Sequence, residues 1–186
     1  MFEPLVMTLL PALFLVVLFG GGEAFRRQQI DQDGEPPIDP RVFYTSKYAI
    51  LVVWSAVVAS SWGAPVSFVD VSRVSKWVGL FLWAAGFLVL FAGRFGLGKS
   101  FRIGSPKEPT NLSVNGLFRL SRNPMYLGVY TTLAASVFYT LNPIVVAVVA
   151  FVVVVHHRNV LAEERYLTNA FGSSYTDYCR RVRRYL

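Results

Sequence analysis

The residues best able to do chemistry fall in three short stretches. The last runs His156-His157-Arg158 and then Glu163-Glu164-Arg165. Two imidazoles and two carboxylates could ligate a metal, but neighbours on a helix point about 100° apart. His156 then aligns with Glu163, and His157 with Glu164, giving pairs where a metal site uses three or four protein ligands. A carboxylate here suits an ammonium group and an arginine suits a carboxylate; the plainer reading is a solvated face laced with salt bridges. The middle stretch, Arg122-Asn-Pro-Met-Tyr-Leu-Gly128, reads as a helix start, with Asn123 as cap, Pro124 in the first turn and Tyr126 at a membrane interface. Capping does not account for Asn115-Gly-Leu-Phe-Arg119 just before it. The first stretch, Gly93-Arg-Phe-Gly-Leu-Gly98-Lys99-Ser100, matches a phosphate-binding loop letter for letter. That loop works only between a strand and a helix. Here it follows an apolar run, so a glycine-rich helix end with a snorkelling lysine is expected. Asn111-Leu-Ser113 spells a glycosylation acceptor, but the topology below places it on the cytoplasmic side.

The elements that must position these residues are apolar helices. Of 186 residues 54% are hydrophobic and 16% charged, a composition that excludes an ordinary soluble domain. The single cysteine, Cys179, rules out an internal disulfide and a cysteine metal site. Apolar runs cover 4–22, 48–65 and 77–97, and a fourth, 127–155, has no charge in it. One crossing takes about 20 residues, and Asn142-Pro143 favours a turn. The fourth run is therefore expected to be a hairpin of two short helices, 127–141 and 143–155, the second continuing into 156–171. The expected fold is all-α and integral to the membrane, with five transmembrane helices and a cytoplasmic C-terminal cofactor-binding region. Three N-terminal helices fill 1–97, with a polar linker at 23–47, and 98–186 forms the functional core. The early charge is Glu3, not a basic n-region, so no cleaved signal is expected.

Charge fixes the expected orientation. Of the 18 lysines and arginines, those in 23–47, 94–123 and 156–186 share one side in a five-span chain, leaving Arg73 and Lys76 on the other. A four-span chain spreads them almost evenly. The positive-inside rule then sets the N-terminus outside and the C-terminus in the cytoplasm. The net charge of +7 reads as contact with anionic lipid, not nucleic acid. Tyr175, Tyr178, Val182 and Tyr185, with arginines between them, suit a helix lying on the membrane or closing over a site.

Taken together, Asn115-Gly-Leu-Phe-Arg-Leu-Ser-Arg-Asn-Pro-Met-Tyr-Leu-Gly128, Asn142-Pro143, Glu163-Glu164-Arg-Tyr-Leu and Phe171-Gly-Ser-Ser-Tyr175-Thr-Asp-Tyr178 resemble the isoprenylcysteine carboxyl methyltransferase family, a group that includes membrane phospholipid methyltransferases. The likeness covers roughly 100–186, and the short chain looks like a minimal prokaryotic member. It implies S-adenosylmethionine as donor, bound on the cytoplasmic side without a Rossmann domain. By position it implies cofactor contacts at Thr110, Asn111, Leu112, Ser113, Phe118, Asn123, Pro124, Met125, Tyr126, and Glu163 or Glu164. Asn123 stands where the family has histidine. Asn159 and Val160 occupy the places open to the family's substrate arginine, which leaves Arg158 as the nearest candidate to orient a substrate carboxylate. The catalytic set implied is Arg158, Glu163 and Glu164, with no metal. The partners implied are a lipophilic prenylated substrate and membrane lipid, acting on a monomer. A phospholipid amine methyltransferase would instead need a proton acceptor, which His156 or His157 could supply. A sterol-type membrane reductase would need NADPH, and a transporter or scaffold would need no cofactor.

Overall fold

A computed structural model describes residues 2–20, 35–97 and 112–186, and every regular element among them is helical. Helix α1 spans Phe2–Leu15 and ends in a π turn, Val16–Gly20. Helix α2, Pro40–Ser61, starts where Asp39 accepts the amides of Arg41 and Val42 at 3.0 and 3.1 Å, with Pro40 in the first turn. That arrangement satisfies two donors that no helix can pair internally. Helix α3 covers Arg73–Leu97, a 3-10 turn covers Gly116–Arg119, and helices α4 and α5 cover Pro124–Thr140 and Pro143–Arg181.

The break expected in the long apolar run is present. Leu141 ends α4 in the left-handed region at φ 43°, and the Asn142 side chain accepts the amides of Ile144 and Val145 to begin α5. Among the described residues four helices are long and apolar enough to cross a membrane: α1 with its π turn, α2, α3 and α5. The chain is a multi-pass membrane protein. Helix α4 has 17 residues, about 25 Å at 1.5 Å per residue. Helix α5 has 39, roughly twice the length that fits a hydrocarbon core. Its charges begin at Arg158, so its apolar stretch is the part before that residue.

Helix packing in lipid is driven by close approach, not by water exclusion. Helices α3 and α4 show this. A Cβ on Gly86 would stand 2.7 Å from Thr132 Cγ2 and 3.0 Å from the Gly128 carbonyl, and one on Gly128 would meet the Gly86 carbonyl at 3.0 Å. Gly79 and Gly93, one heptad to either side, sit against Tyr139 and Met125. Edge-on aromatics, Phe14, Trp54, Trp83 and Phe87, join α1, α2 and α3. The Trp54 indole donates to Thr132 Oγ1 at 3.1 Å, tying α2 to α4.

The connections gather at two ends. At one, Tyr139 donates to Glu3, Asn142 Nδ2 donates to the Val66 carbonyl at 2.6 Å, and Ser75 Oγ donates to the Phe138 carbonyl at 2.6 Å. At the other, the 115–123 segment, the start of α4, Lys47 of α2, the polar part of α5 and the C-terminal tail meet.

Candidate active site

The second end carries the chemistry, and α5 supplies its axis. Gly172 breaks α5 at φ 53°, ψ −125°, a conformation open in practice only to glycine. The kink turns Ser173–Arg181 back across the 3-10 turn, where buried Tyr178 donates to the Phe118 carbonyl at 2.6 Å. The helix stops at Arg181, so the aromatic spacing expected to run on through Tyr185 does not stay helical. An extended tail takes over. The Arg183 carbonyl accepts the Arg122 amide at 2.9 Å, and the Arg184 carbonyl accepts from Ser121 Oγ and Asn123 Nδ2, both at 3.2 Å. Tyr185 lies 2.9 Å from His157 Nδ1 and edge-on to Tyr130.

Neighbours Glu163 and Glu164 face different surroundings. Glu164, only 12% exposed, pairs with Arg122 Nη2 at 3.1 Å and Arg184 Nη2 at 2.8 Å. Arg184 Nε adds a bond at 3.0 Å and Asn123 Nδ2 one at 3.3 Å. A carboxylate offers about four acceptor directions, so Glu164 is fully engaged as a clasp between the 122–123 segment, α5 and the tail. The Glu164 carboxylate holds the Arg184 guanidinium above its usual pKa, so this arm of the clasp stays charged. Behind the clasp a cleft of about 460 Å³ opens between the two arms of kinked α5, bordered by Leu161, Arg165, Thr168, Tyr175 and Cys179.

Glu163 faces the other way. Among the described residues it accepts one hydrogen bond, from Tyr126 Oη at 2.8 Å. Half-buried Lys47, near the start of α2, lies close enough for its charge to act on Glu163 and on His156. The Lys47 ammonium stands 4.8 Å from the Phe43 ring centre and 6.0 Å from that of Tyr126. His156 sits edge-on to Tyr126, with ring centres 5.3 Å apart. Asn159 lies one turn below Glu163 on the same stripe of α5.

The residues singled out from sequence thus separate. Asn123, Tyr126, Glu163 and Glu164 come together. Asn123 precedes α4 but makes no cap bond with its side chain; that side chain goes to the clasp instead. Pro124 is buried, and Met125 turns to α3, where it meets Gly93. Gly128, the last residue of that motif, is spent on the α3 contact. Phe118 is buried between Gly96 and Tyr178. Leu112 and Ser113 are half-buried on the approach to the 3-10 turn. Thr110, Asn111, Gly98, Lys99 and Ser100 lie outside the described residues; Gly93–Leu97 is the last stretch of α3, not a loop. Arg158 is exposed and lies about 140° around the helix from Glu163, away from the cluster. The sequence marks Lys47 and Arg184 only as charges that set topology, and Tyr185 only as one of a stripe that lies on the membrane or closes over a site. Among the described residues no group of three or more His, Cys, Asp or Glu side chains could hold a metal.

The phospholipid methyltransferase family model matches residues 74–174, from α3 through the kink of α5 and so through both carboxylates. The match spans more than half of the chain, and the chain belongs to that family. It is a membrane methyltransferase. The reductase and transporter readings give way to this assignment. Comparison with curated proteins finds no similar sequence.

Proposed function

We propose that this chain methylates a lipophilic acceptor with S-adenosylmethionine at the cytoplasmic face of the membrane. The observation that carries this reading is the half-engaged Glu163 carboxylate beside Tyr126, set where the apolar stretch of α5 gives way to its polar part. When bound, S-adenosylmethionine supplies an electrophilic methyl group on a sulfonium. The residues fit it: Glu163 has an oxygen left for the donor's ammonium, and Tyr126 flanks it. Glu164, with both oxygens taken, holds the tail and the 122–123 segment in place around the donor. A carboxylate acceptor is already a nucleophile at neutral pH. The protein then has to align it and exclude water, not remove a proton.

The acceptor proposed is the carboxylate of an isoprenylated cysteine, its tail lying laterally among the helices. A second reading, methylation of a phospholipid amine, is favoured by the family's own description. Labelled donor, offered in turn with a prenylcysteine analogue and with phosphatidylethanolamine, separates the two. Label in neither acceptor overturns both.

Five crossings with an outer N-terminus are part of the proposal. Its support is the alternation of ends: Glu3, Val66 and Asn142 gather at one, and Lys47, Arg122 and Arg184 at the other. The sixteen basic residues outside 73–76 then share the cytoplasmic side.

A further inference from the structure

Two side chains one turn apart at the site carry four unpaired buried polar atoms among the described residues, where Trp83 and Tyr175 elsewhere leave one each. The buried hydroxyls of Ser46, Thr132, Ser136 and Thr140 each donate to a helix carbonyl. His156 and Asn159, 1% and 0% exposed, have no partner among the described residues for any of their four side-chain nitrogen and oxygen atoms. Burying such groups unpaired costs free energy, and proteins keep few of them without a purpose. Both project from the stripe of α5 that carries Glu163. From Glu163, Asn159 lies about 6 Å and His156 about 10 Å further toward the apolar half of the helix, at 1.5 Å per residue. The Lys47 ammonium stands 6.0 Å from the centre of the Tyr126 ring, against which His156 packs edge-on, and it has no ion pair within 4 Å among the described residues.

We infer that Asn159 and His156 receive the polar head of the methyl acceptor, and that Lys47 selects a head carrying an anionic oxygen. The inference deepens the proposed function and rests on it for the donor's place at Glu163 and Tyr126. Asn159 offers two N–H donors and a neutral imidazole offers one. With the Lys47 ammonium these match a carboxylate or a phosphodiester, the head groups of a prenylated cysteine and of a phospholipid. A head held there lies on the lipid side of Glu163, with its hydrocarbon tail directed along the apolar half of α5. Acceptor and donor thus occupy successive turns of one helix, the arrangement that close alignment for transfer needs. It also accounts for Arg158 pointing away: the cation that meets the acceptor comes from α2.

Acceptor binding to the detergent-purified full chain, without donor, tests this. The probes are N-acetyl-S-farnesylcysteine, its carboxamide, and dioleoylphosphatidylethanolamine, read by thermophoresis. The wild type is expected to bind the carboxylate about tenfold tighter than the carboxamide, one charged hydrogen bond's worth at about 1.4 kcal/mol. Lys47→Met should erase that preference. Asn159→Leu should weaken every probe about tenfold, keep S-adenosylhomocysteine affinity within about twofold, and melt no lower than wild type, because it removes unpaired polar atoms. His156→Gln, which keeps a donor and an acceptor, should lose less than His156→Leu. Tighter binding of farnesylcysteine or of the phospholipid identifies which anionic oxygen the site takes. Unchanged probe binding in Asn159→Leu and Lys47→Met overturns the inference, as does equal loss of probe and S-adenosylhomocysteine, which would put the pair in the donor site. If Asn159→Leu does not fold, Lys47→Met decides alone. If the wild type binds no S-adenosylhomocysteine, the donor reading fails while the probe arms still judge the head-group site.

Discussion

Glu163 and Glu164 are adjacent and chemically identical, yet the structure predicts opposite outcomes when each loses its charge. In Glu163→Gln the amide oxygen still accepts from Tyr126, so the fold loses little, about 1 kcal/mol or less. What disappears is the charge offered to the donor's ammonium. A hydrogen bond to a charged group contributes about 1.5–3 kcal/mol, which is about 10- to 150-fold in affinity for S-adenosylhomocysteine. Glu164→Gln strips the counter-charge from two guanidiniums. Arg122, 12% exposed, behaves as a largely buried partner, and breaking such pairs costs several kcal/mol. Arg184 is 37% exposed, so solvent screens its share to under about 1 kcal/mol. With neutral hydrogen bonds retained, a net loss of about 2–3 kcal/mol is expected, roughly 5–10 °C in Tm for a chain of this length. The tail should also become cleavable after Arg183 and Arg184. Calorimetric titration and thermal melting on the same two variants check both halves. Wild-type affinity in Glu163→Gln, together with lost affinity at unchanged Tm in Glu164→Gln, would refute the division of labour.

Further outcomes follow from the packing. Gly86→Val places methyl groups where even a Cβ meets Thr132 at 2.7 Å; overpacking of this kind costs about 1–3 kcal/mol, and the melting temperature should fall accordingly, while Gly20→Ala, with open surroundings, should not shift it. Gly172→Ala forces a side chain into a glycine-only conformation at about 1–3 kcal/mol; trypsin digestion should show the 173–186 arm released from Phe118, and a resistant arm would count against the kink's role. In a Cys179→Ala background, a membrane-impermeant thiol reagent applied to intact cells should label Val69→Cys and spare Arg180→Cys; the reverse pattern would invert the proposed orientation.

What could be read from sequence was local. Asn142 and Pro143 act on their own backbone, so the break between α4 and α5 was visible without knowing any neighbour. The continuation of α5 past its apolar stretch was visible because its charges begin abruptly at Arg158. Contacts between distant segments were not. Gly79, Gly86 and Gly93 are evenly spaced small residues in one span and Gly128 a small residue in another, with nothing to mark them until the two helices are placed together. Helical geometry turns Glu163 and Glu164 about 100° apart, but only the positions of Arg122, Arg184, Tyr126 and Lys47 decide which meets the arginines. Arginines in a tail look alike whether they clasp a carboxylate or face water, so Arg184 gave no sign of its partner.

The central claim is that the cluster around Tyr126 and Glu163 holds a methyl donor. Isothermal titration of the wild-type chain in detergent with S-adenosylhomocysteine tests it most directly. The account predicts saturable binding at one site per chain, with no comparable heat from NADPH. A flat titration with S-adenosylhomocysteine would contradict it.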